Sequence, residues 1–387
     1  MASSKDLTGD VPFEKLPDSA SGFVFSADVS ITHGRISRHP WTHALYIGEG
    51  AANVLFEPLL SETVKHHRGS SNQRVEDGVE KELFSKYLMR VAKQPKDPKK
   101  PFYSAEAQFD YYQKKISPLF KSHIECLVDE KLAWVPSVAI QYLQQNLKGL
   151  DAAGGRQPDK PARPSKFVGD QVGSSRNILL VESMLPRKDR EEFLVEFKPK
   201  WLAQSPSAPK EADTCRCCAL AAKKYNKTKD ANYDPARYPC PLWLDPERPT
   251  PERKKDIRRT AIATMFKDNP HAEVLYELLK KTSLIPLLKK VQVQKDPKGP
   301  LKAGMNDDGL PIAMTLRDCS LFIRYRVGRS GAGKAVVDEG SFEAKLSDLD
   351  IKNVAWKLSE WQDKERALVE QGWYTGRGKM KHCALQK

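Results

Sequence analysis

The sequence predicts an α+β protein built as two lobes. Three observations carry that expectation. The chain has 387 residues, more than one core normally spans. Strand-like runs dominate its early part, and helix-like runs its later part. It contains 40% hydrophobic residues, enough to bury a sizeable core, and shows no internal repeat.

Residues 1–40 are polar, rich in Ser, Asp and Gly, and predict a flexible leader. Residues 41–186 are expected to form the first lobe. There "ALYIGEGAANVLFEPLL" (44–60) reads as strand, glycine-containing turn, strand. A polar insertion, 61–82, follows, and then "YLMRVAK" (87–93), a third strand. The run 104–132 has helical periodicity with Ser104 and Glu106 near its start, and a second helix is expected through "SVAIQYLQQNLKGL". Residues 151–174, rich in Gly, Pro and Lys, read as a loop or linker. "NILLVESMLP" (177–186) is an apolar strand leaving into a connector.

Residues 187–387 make the second lobe. "EEFLVEFKPKW" predicts a strand that ends or lies at an edge at Pro199, which cannot donate to a ladder. "CRCCALAAKKYNK" looks helical, a proline-rich loop spans 234–251, and helices are expected over 252–267 and 271–290. "LPIAMTLRDCSLFIRYRV" (310–327) places Asp318 between two apolar runs. "KLSDLDIKNVAWKLSEWQDKERALVEQGWY" holds a short acidic strand or turn and then a long helix.

The formal net charge of +14 predicts attraction to anions: nucleic acid, acidic membranes or polyphosphates. No apolar run approaches membrane-spanning length, and "MASSKDLTGD" lacks an apolar signal core. An intracellular protein is therefore expected, cytosolic or nuclear, with its seven cysteines as reduced thiols. Cys215, Cys217, Cys218 and Cys240 invite a zinc reading. Their C-x-C-C spacing with one distant partner lacks the two pairs usual in such sites, so no structural metal is expected there.

In strand geometry Glu196, Lys198 and Lys200 of "VEFKPK" share one face, with Val195 and Phe197 on the other. Two lysines on one face repel. A solvated edge would tolerate this, and a bound phosphate would turn it into charge-assisted hydrogen bonding. Gly48 and Gly50 lie in a turn that is either an ordinary hairpin or a backbone approach to phosphates. With Arg90 on the next strand, the layout is that of a kinase-like small lobe, Arg90 contacting ATP phosphate; a surface arginine is the alternative. Val181 and Glu182 lie where such a lobe runs into a hinge that holds adenine, or in a simple core strand. A carboxylate among Met314, Leu316, Leu321 and Phe322 is expected to have a purpose. Asp348, Asp350 and Lys352 gather the groups phosphoryl transfer needs, although "DLD" also suits a helix start.

Taken in this order, the motifs resemble the inositol-pentakisphosphate 2-kinases, particularly the fungal kind, over most of residues 42–375. "GEGAAN" resembles the nucleotide loop, "EFKPK" the E-x-K-P-K motif, and "TLRDCSLFI" and "DLDIK" the two catalytic aspartate segments. "CRCCALAAKKY" and the following "YDP" resemble the stretch after E-x-K-P-K. The resemblance implies a two-lobed kinase-like fold related to the inositol polyphosphate kinases, with ATP and Mg2+ as cofactors. It implies that Asp318 is the general base, Asp348 binds magnesium, and Lys198 contacts ATP phosphate. Gly48, Glu49, Gly50, Asn53, Arg90, Val181, Glu182 and Glu196 would serve the nucleotide. Lys200, Arg216, Lys224 and Lys352 would hold the inositol phosphate. The reaction implied is phosphorylation of inositol pentakisphosphate at its 2-hydroxyl, giving phytate.

Two other readings compete. A nucleic-acid binder would show basic stripes interleaved with aromatics, and the charge here is dispersed, so no nucleic-acid partner is expected. A non-catalytic inositol-phosphate binder would not need both Asp318 and Asp348. No membrane partner is expected, and the chain is expected to be a monomer.

Overall fold

The computed structural model describes residues 43–59, 86–94, 102–135, 137–154, 162–187, 190–228, 238–329, 335–378 and 382–386, with short strand segments at 22–24, 31–32 and 35–36. The expected insertion 61–82, most of the expected leader and the "YDP" stretch lie outside the described residues. The chain divides into two compact units: Met1–Tyr112 with Val128–Ser183, and Gln113–Leu127 with Met184–Lys387.

The first unit carries β1 (Gly22–Val24), β2 (Ile31–Thr32), β3 (Arg35–Ile36), β4 (His43–Glu49), β5 (Asn53–Leu59), β6 (Tyr87–Ala92), α1 (Ala105–Tyr111), β7 (Glu130–Trp134), α2 (Ser137–Ala152) and β8 (Asn177–Glu182). Six strands form one sheet in the order β1-β7-β8-β6-β5-β4, and β2 pairs with β3 in a separate ribbon. The sheet is antiparallel except that β1 runs parallel to β7. β6 is buried at every position, as expected of a central strand covered on both faces. Ala139, Ile140, Leu143, Leu147 and Leu150 of α2 recur at helical spacing and pack with Tyr46, Phe56, Ile178 and Leu180 into one core.

The helix expected over 104–132 is interrupted. It begins as expected, with the Ser104 hydroxyl accepting from the Ala107 amide at 3.2 Å. The α-helical part stops at Tyr111, a π-helical turn covers Tyr112–Ile116, and a 3-10 stretch covers Ser117–Cys126. Pro118 has no amide hydrogen for an α-helical ladder. Glu130–Trp134 pairs with β8 instead of continuing a helix.

The second unit carries β9 (Glu192–Phe197), α3 (Arg216–Thr228), α4 (Lys255–Met265), α5 (Ala272–Lys281), α6 (Leu284–Lys295), α7 (Leu310–Leu316), β10 (Ser320–Arg329), β11 (Ala335–Ser347) and α8 (Val354–Glu370). Its antiparallel sheet has the order β11-β10-β9. The helix expected over 271–290 is two helices. The Thr282 hydroxyl donates to the Leu279 carbonyl and accepts from the Leu284 amide, and Ser283 takes a left-handed φ of 54°. The two apolar runs around Asp318 are different elements, α7 before it and β10 after it. Among the described residues, no helix is long and apolar enough to cross a membrane.

Candidate active site

β10 is the middle strand and runs antiparallel to both neighbours, so it begins where β9 and β11 end. Leu321 lies opposite Phe197 on one side and Leu346 on the other. This register brings three sequence-distant segments to one end of the sheet: 198–200 after β9, 317–319 before β10, and 348–352 after β11. The Asp318 amide donates to the Thr315 carbonyl at 3.0 Å as α7 turns into β10. The Thr315 hydroxyl donates to the Asp350 carbonyl at 2.7 Å and ties the last segment in place.

β9 stops at Phe197, so Lys198 and Lys200 do not continue one strand face with Glu196. Lys200 adopts a left-handed φ of 56°, which redirects the chain after the buried Pro199. Both lysines still reach one carboxylate. Lys200 Nζ lies 3.0 Å from Asp318 Oδ1 and Lys198 Nζ 3.6 Å from the same atom. Lys352 Nζ approaches Asp318 Oδ2 at 3.4 Å. Lys198 also donates to Asp348 Oδ2 at 2.8 Å and to the Asp318 carbonyl at 2.5 Å. The lysine repulsion expected from the sequence is thus offset by a carboxylate within the protein itself.

Burial alone would raise the pKa of Asp318, but Lys352, Lys200 and Lys198 outweigh it and hold the carboxyl down to about 2. Burial alone would lower that of Lys198, and the Asp348 and Asp318 carboxylates raise it instead. Asp318 is not enclosed by its apolar neighbours in sequence: its side chain is 41% exposed. Asp348 is 40% exposed and has a left-handed φ of 59°, a conformation that aspartate tolerates better than most residues.

A buried amide that sequence reasoning missed links two of these segments. Gln292 on α6 donates to the carbonyls of Lys200 at 2.8 Å and Leu316 at 2.9 Å, and accepts from the Leu202 amide at 3.0 Å. Its only signal in the sequence is a glutamine on the apolar face of a helix. Arg317, next to Asp318, is buried between the Trp201 ring at 3.5 Å and Asp296 at 2.5 Å.

The remaining expected residues lie as follows. Glu196 accepts from the Ser320 hydroxyl at 3.1 Å. Arg216 is committed elsewhere: its guanidinium donates to Glu365 at 2.6 Å and stacks over Trp201, with its side chain 6% exposed. Lys224 is exposed on α3, with its ammonium 6.0 Å from the Tyr238 ring centre. In the first unit, Gly48, Glu49, Gly50 and Asn53 form the β4–β5 turn, closed by the Gly50 amide on the Asn53 carbonyl at 2.9 Å. A Cβ added at Gly48 or Gly50 would meet nothing within 4 Å, so that backbone is open. Arg90 lies opposite Leu55 and is buried against Glu130 at 3.6 Å and Gln108 at 3.4 Å. Val181 is buried in β8, and the Glu182 carboxylate accepts from the Asp129 amide at 3.0 Å.

Against known proteins, the family model for inositol-pentakisphosphate 2-kinase matches residues 46–367. The chain belongs to the inositol-pentakisphosphate 2-kinase family. It is also 30% identical over 199 residues to an inositol-pentakisphosphate 2-kinase of Yarrowia lipolytica, a match covering 51% of this chain and 58% of that protein. The chain thus spans little more than half the length of that relative.

This family member also brings together a four-cysteine donor set that the cysteine spacing did not predict. Cys215, Cys218, Cys240 and Cys383 are all buried, and their sulfurs lie within 4.8 Å of one another. Cys217 drops out of the expected set, and Cys383, near the end of the chain, supplies the fourth sulfur. A tetrahedral zinc with Zn–S bonds of about 2.3 Å would place sulfurs about 3.8 Å apart; Cys215 and Cys240 are 3.6 Å apart. The amides of Cys215 and Ala384 donate to Cys383 and Cys240 sulfurs, a pattern suited to bearing thiolate charge. Hydrogen bonds from the other three cysteines already pull the Cys383 thiol well below its ordinary range.

Proposed function

We propose that this protein is an ATP-dependent kinase that phosphorylates the 2-hydroxyl of inositol 1,3,4,5,6-pentakisphosphate, giving inositol hexakisphosphate. In this reading residues 41–186, apart from Gln113–Leu127 which group with the second unit, form the nucleotide-binding lobe of a kinase-like fold, and residues 187–387 the lobe for substrate and catalysis. The observation that carries it is the convergence of Lys198, Lys200 and Lys352 on Asp318. Five groups with three ammonium and two carboxylate charges suit a polyanion whose hydroxyl must still meet a base.

Asp318 accepts the hydrogen bond of the attacking hydroxyl and takes its proton. With a pKa near 2 it is a weak base, so it orients the hydroxyl first and receives the proton as the bond to phosphorus forms. Lys198 stabilises charge on the transferring phosphoryl group, and Lys200 and Lys352 hold substrate phosphates. Lys224 belongs to the same substrate set in this reading. Arg216 would join it only if its pairing with Glu365 opened. Asp348 offers the oxygen donors that suit magnesium, a hard cation, which would have to displace or share the Lys198 ammonium now 2.8 Å from its Oδ2. Magnesium, when bound, would offset charge on the nucleotide phosphates. The open backbone at Gly48 and Gly50 suits the nucleotide, with Asn53, Val181 and Glu182 assigned to the same ligand, and Arg90 would join them only if its pairing with Glu130 opened. The four-cysteine cluster suits a structural zinc.

The test is ATP turnover by the full chain with and without inositol pentakisphosphate, with identification of the inositol product. Turnover that requires the inositol phosphate and yields the hexakisphosphate is expected. Tight binding of both ligands without turnover would overturn catalysis and leave a non-catalytic binder.

A further inference from the structure

The glycine turn is held by an ion network that sequence reasoning did not find. Glu49 lies between Gly48 and Gly50, which have no side chains to anchor the turn. Its carboxylate is fully buried and grips two cations: Lys93 Nζ at 2.5 Å and Arg163 Nε at 2.7 Å. The Tyr46 hydroxyl donates to the same carboxylate at 3.0 Å. Both cations are buried and are themselves held. Arg163 donates to Asp151 at 2.7 Å and to the Asp170 carbonyl at 2.8 Å. Lys93 reaches Asp170 at 3.1 Å and lies 3.7 Å from the Phe167 ring centre. The backbone repeats the connection: the Lys93 amide donates to the Ala52 carbonyl at 2.8 Å, and the Gly173 amide to the Ala92 carbonyl at 2.8 Å.

From this we infer that Lys93 and Arg163 are positioning residues for the nucleotide turn, acting through Glu49, and that none of the three side chains touches the nucleotide. The inference rests on the nucleotide reading of that turn. The side chains of Glu49 and Arg163 are 0% exposed and that of Lys93 4%, so none is presented to a ligand. The bidentate fork of Arg163 spans from the turn to the segment 162–172, and so fixes the turn against a second part of the fold. A turn fixed before binding loses less freedom when phosphate docks on its backbone. Loosening it should therefore weaken the nucleotide and spare the inositol phosphate.

The experiment compares Arg163→Gln, Arg163→Lys and Tyr46→Phe in the full chain. The last is a mild change that removes only one hydroxyl from Glu49. Two readouts are used: dissociation constants for a fluorescent ATP analogue and for inositol pentakisphosphate, and the KM for each substrate. The Kd and KM for nucleotide should rise about tenfold or more in Arg163→Gln, with Tyr46→Phe intermediate and Arg163→Lys partly restored. Inositol phosphate values should stay within about twofold. Equal weakening of both ligands, or a lowered melting temperature with unchanged nucleotide affinity, would overturn the inference and leave a purely structural network. If the wild type binds the nucleotide analogue but does not turn over inositol pentakisphosphate, the functional reading fails while the binding readout still tests the clamp.

Discussion

Asp318 shows how a residue's neighbours set its chemistry. Its carboxyl is depressed in the fold, so its contribution to stability is fully present above the ordinary value near 4 and is lost as pH falls through about 2. Above pH 4 it is ionised throughout, and its titration should not shape the rate profile. An apparent acid-side pKa near 6 would belong to the phosphates, whose second ionisation lies at about 6. Asp318→Asn should lower kcat by about 100–10,000-fold, the usual span for losing a general base. It should not weaken inositol pentakisphosphate binding, because it removes a negative charge from among three lysines. Steady-state kinetics with a binding titration check both parts. Near-normal kcat at saturating substrate would remove Asp318 from the proposed role.

At the scale of elements, the four cysteines join the start of α3, the turn Pro241–Leu244 beginning just after Cys240, and the chain's last described segment. That segment is tied in further by the Trp243 indole donating to the His382 carbonyl at 2.8 Å and by Lys254 donating to the Gln386 carbonyl. Purified protein should contain one zinc per chain by elemental analysis, and Cys383→Ser should lose it. Each kcal/mol lost should lower Tm by about 2–4 °C in a unit of this size, so a drop of about 5 °C or more is expected on chelation or in the variant. Metal-free protein with an unchanged Tm would show that packed thiols suffice.

For the whole molecule, the charge of +14 is the relevant quantity. Part of the positive charge at the candidate site is already answered by Asp318 and Asp348, leaving three cations against two anions. A specific polyanion should therefore add to a partly compensated cluster, and stabilisation should follow its affinity. A hundredfold excess over Kd contributes about 2.7 kcal/mol. Melting temperatures with inositol pentakisphosphate, inositol hexakisphosphate, inorganic phosphate and single-stranded DNA at matched charge separate a shaped site from a generic basic surface. The two inositol phosphates should give the largest shifts, reduced by salt. An equal shift with DNA would favour the nucleic-acid reading.

The sequence by itself determined the α+β class, most of the element positions and the family. Strand alternation, helical spacing and the fixed order of "GEGAAN", "EFKPK", "TLRDCS" and "DLDIK" are local properties that survive without knowledge of contacts. Tertiary structure decided who meets whom. The strand-end meeting of Lys198 with Asp318 and Asp348, 120 and 150 residues away, follows from β10 lying antiparallel between β9 and β11. The arginine chosen on β6 is buried against Glu130, while Lys93, three residues on, reaches the turn, because opposite faces of a strand meet different neighbours. Cys383 stayed invisible because metal-ligand spacing is read locally, and its partners are 143 or more residues earlier in the chain. Arg163 and Gln292 escaped for the same reason: buried polar groups are recruited by the unpaired charges and carbonyls that only packing brings to them.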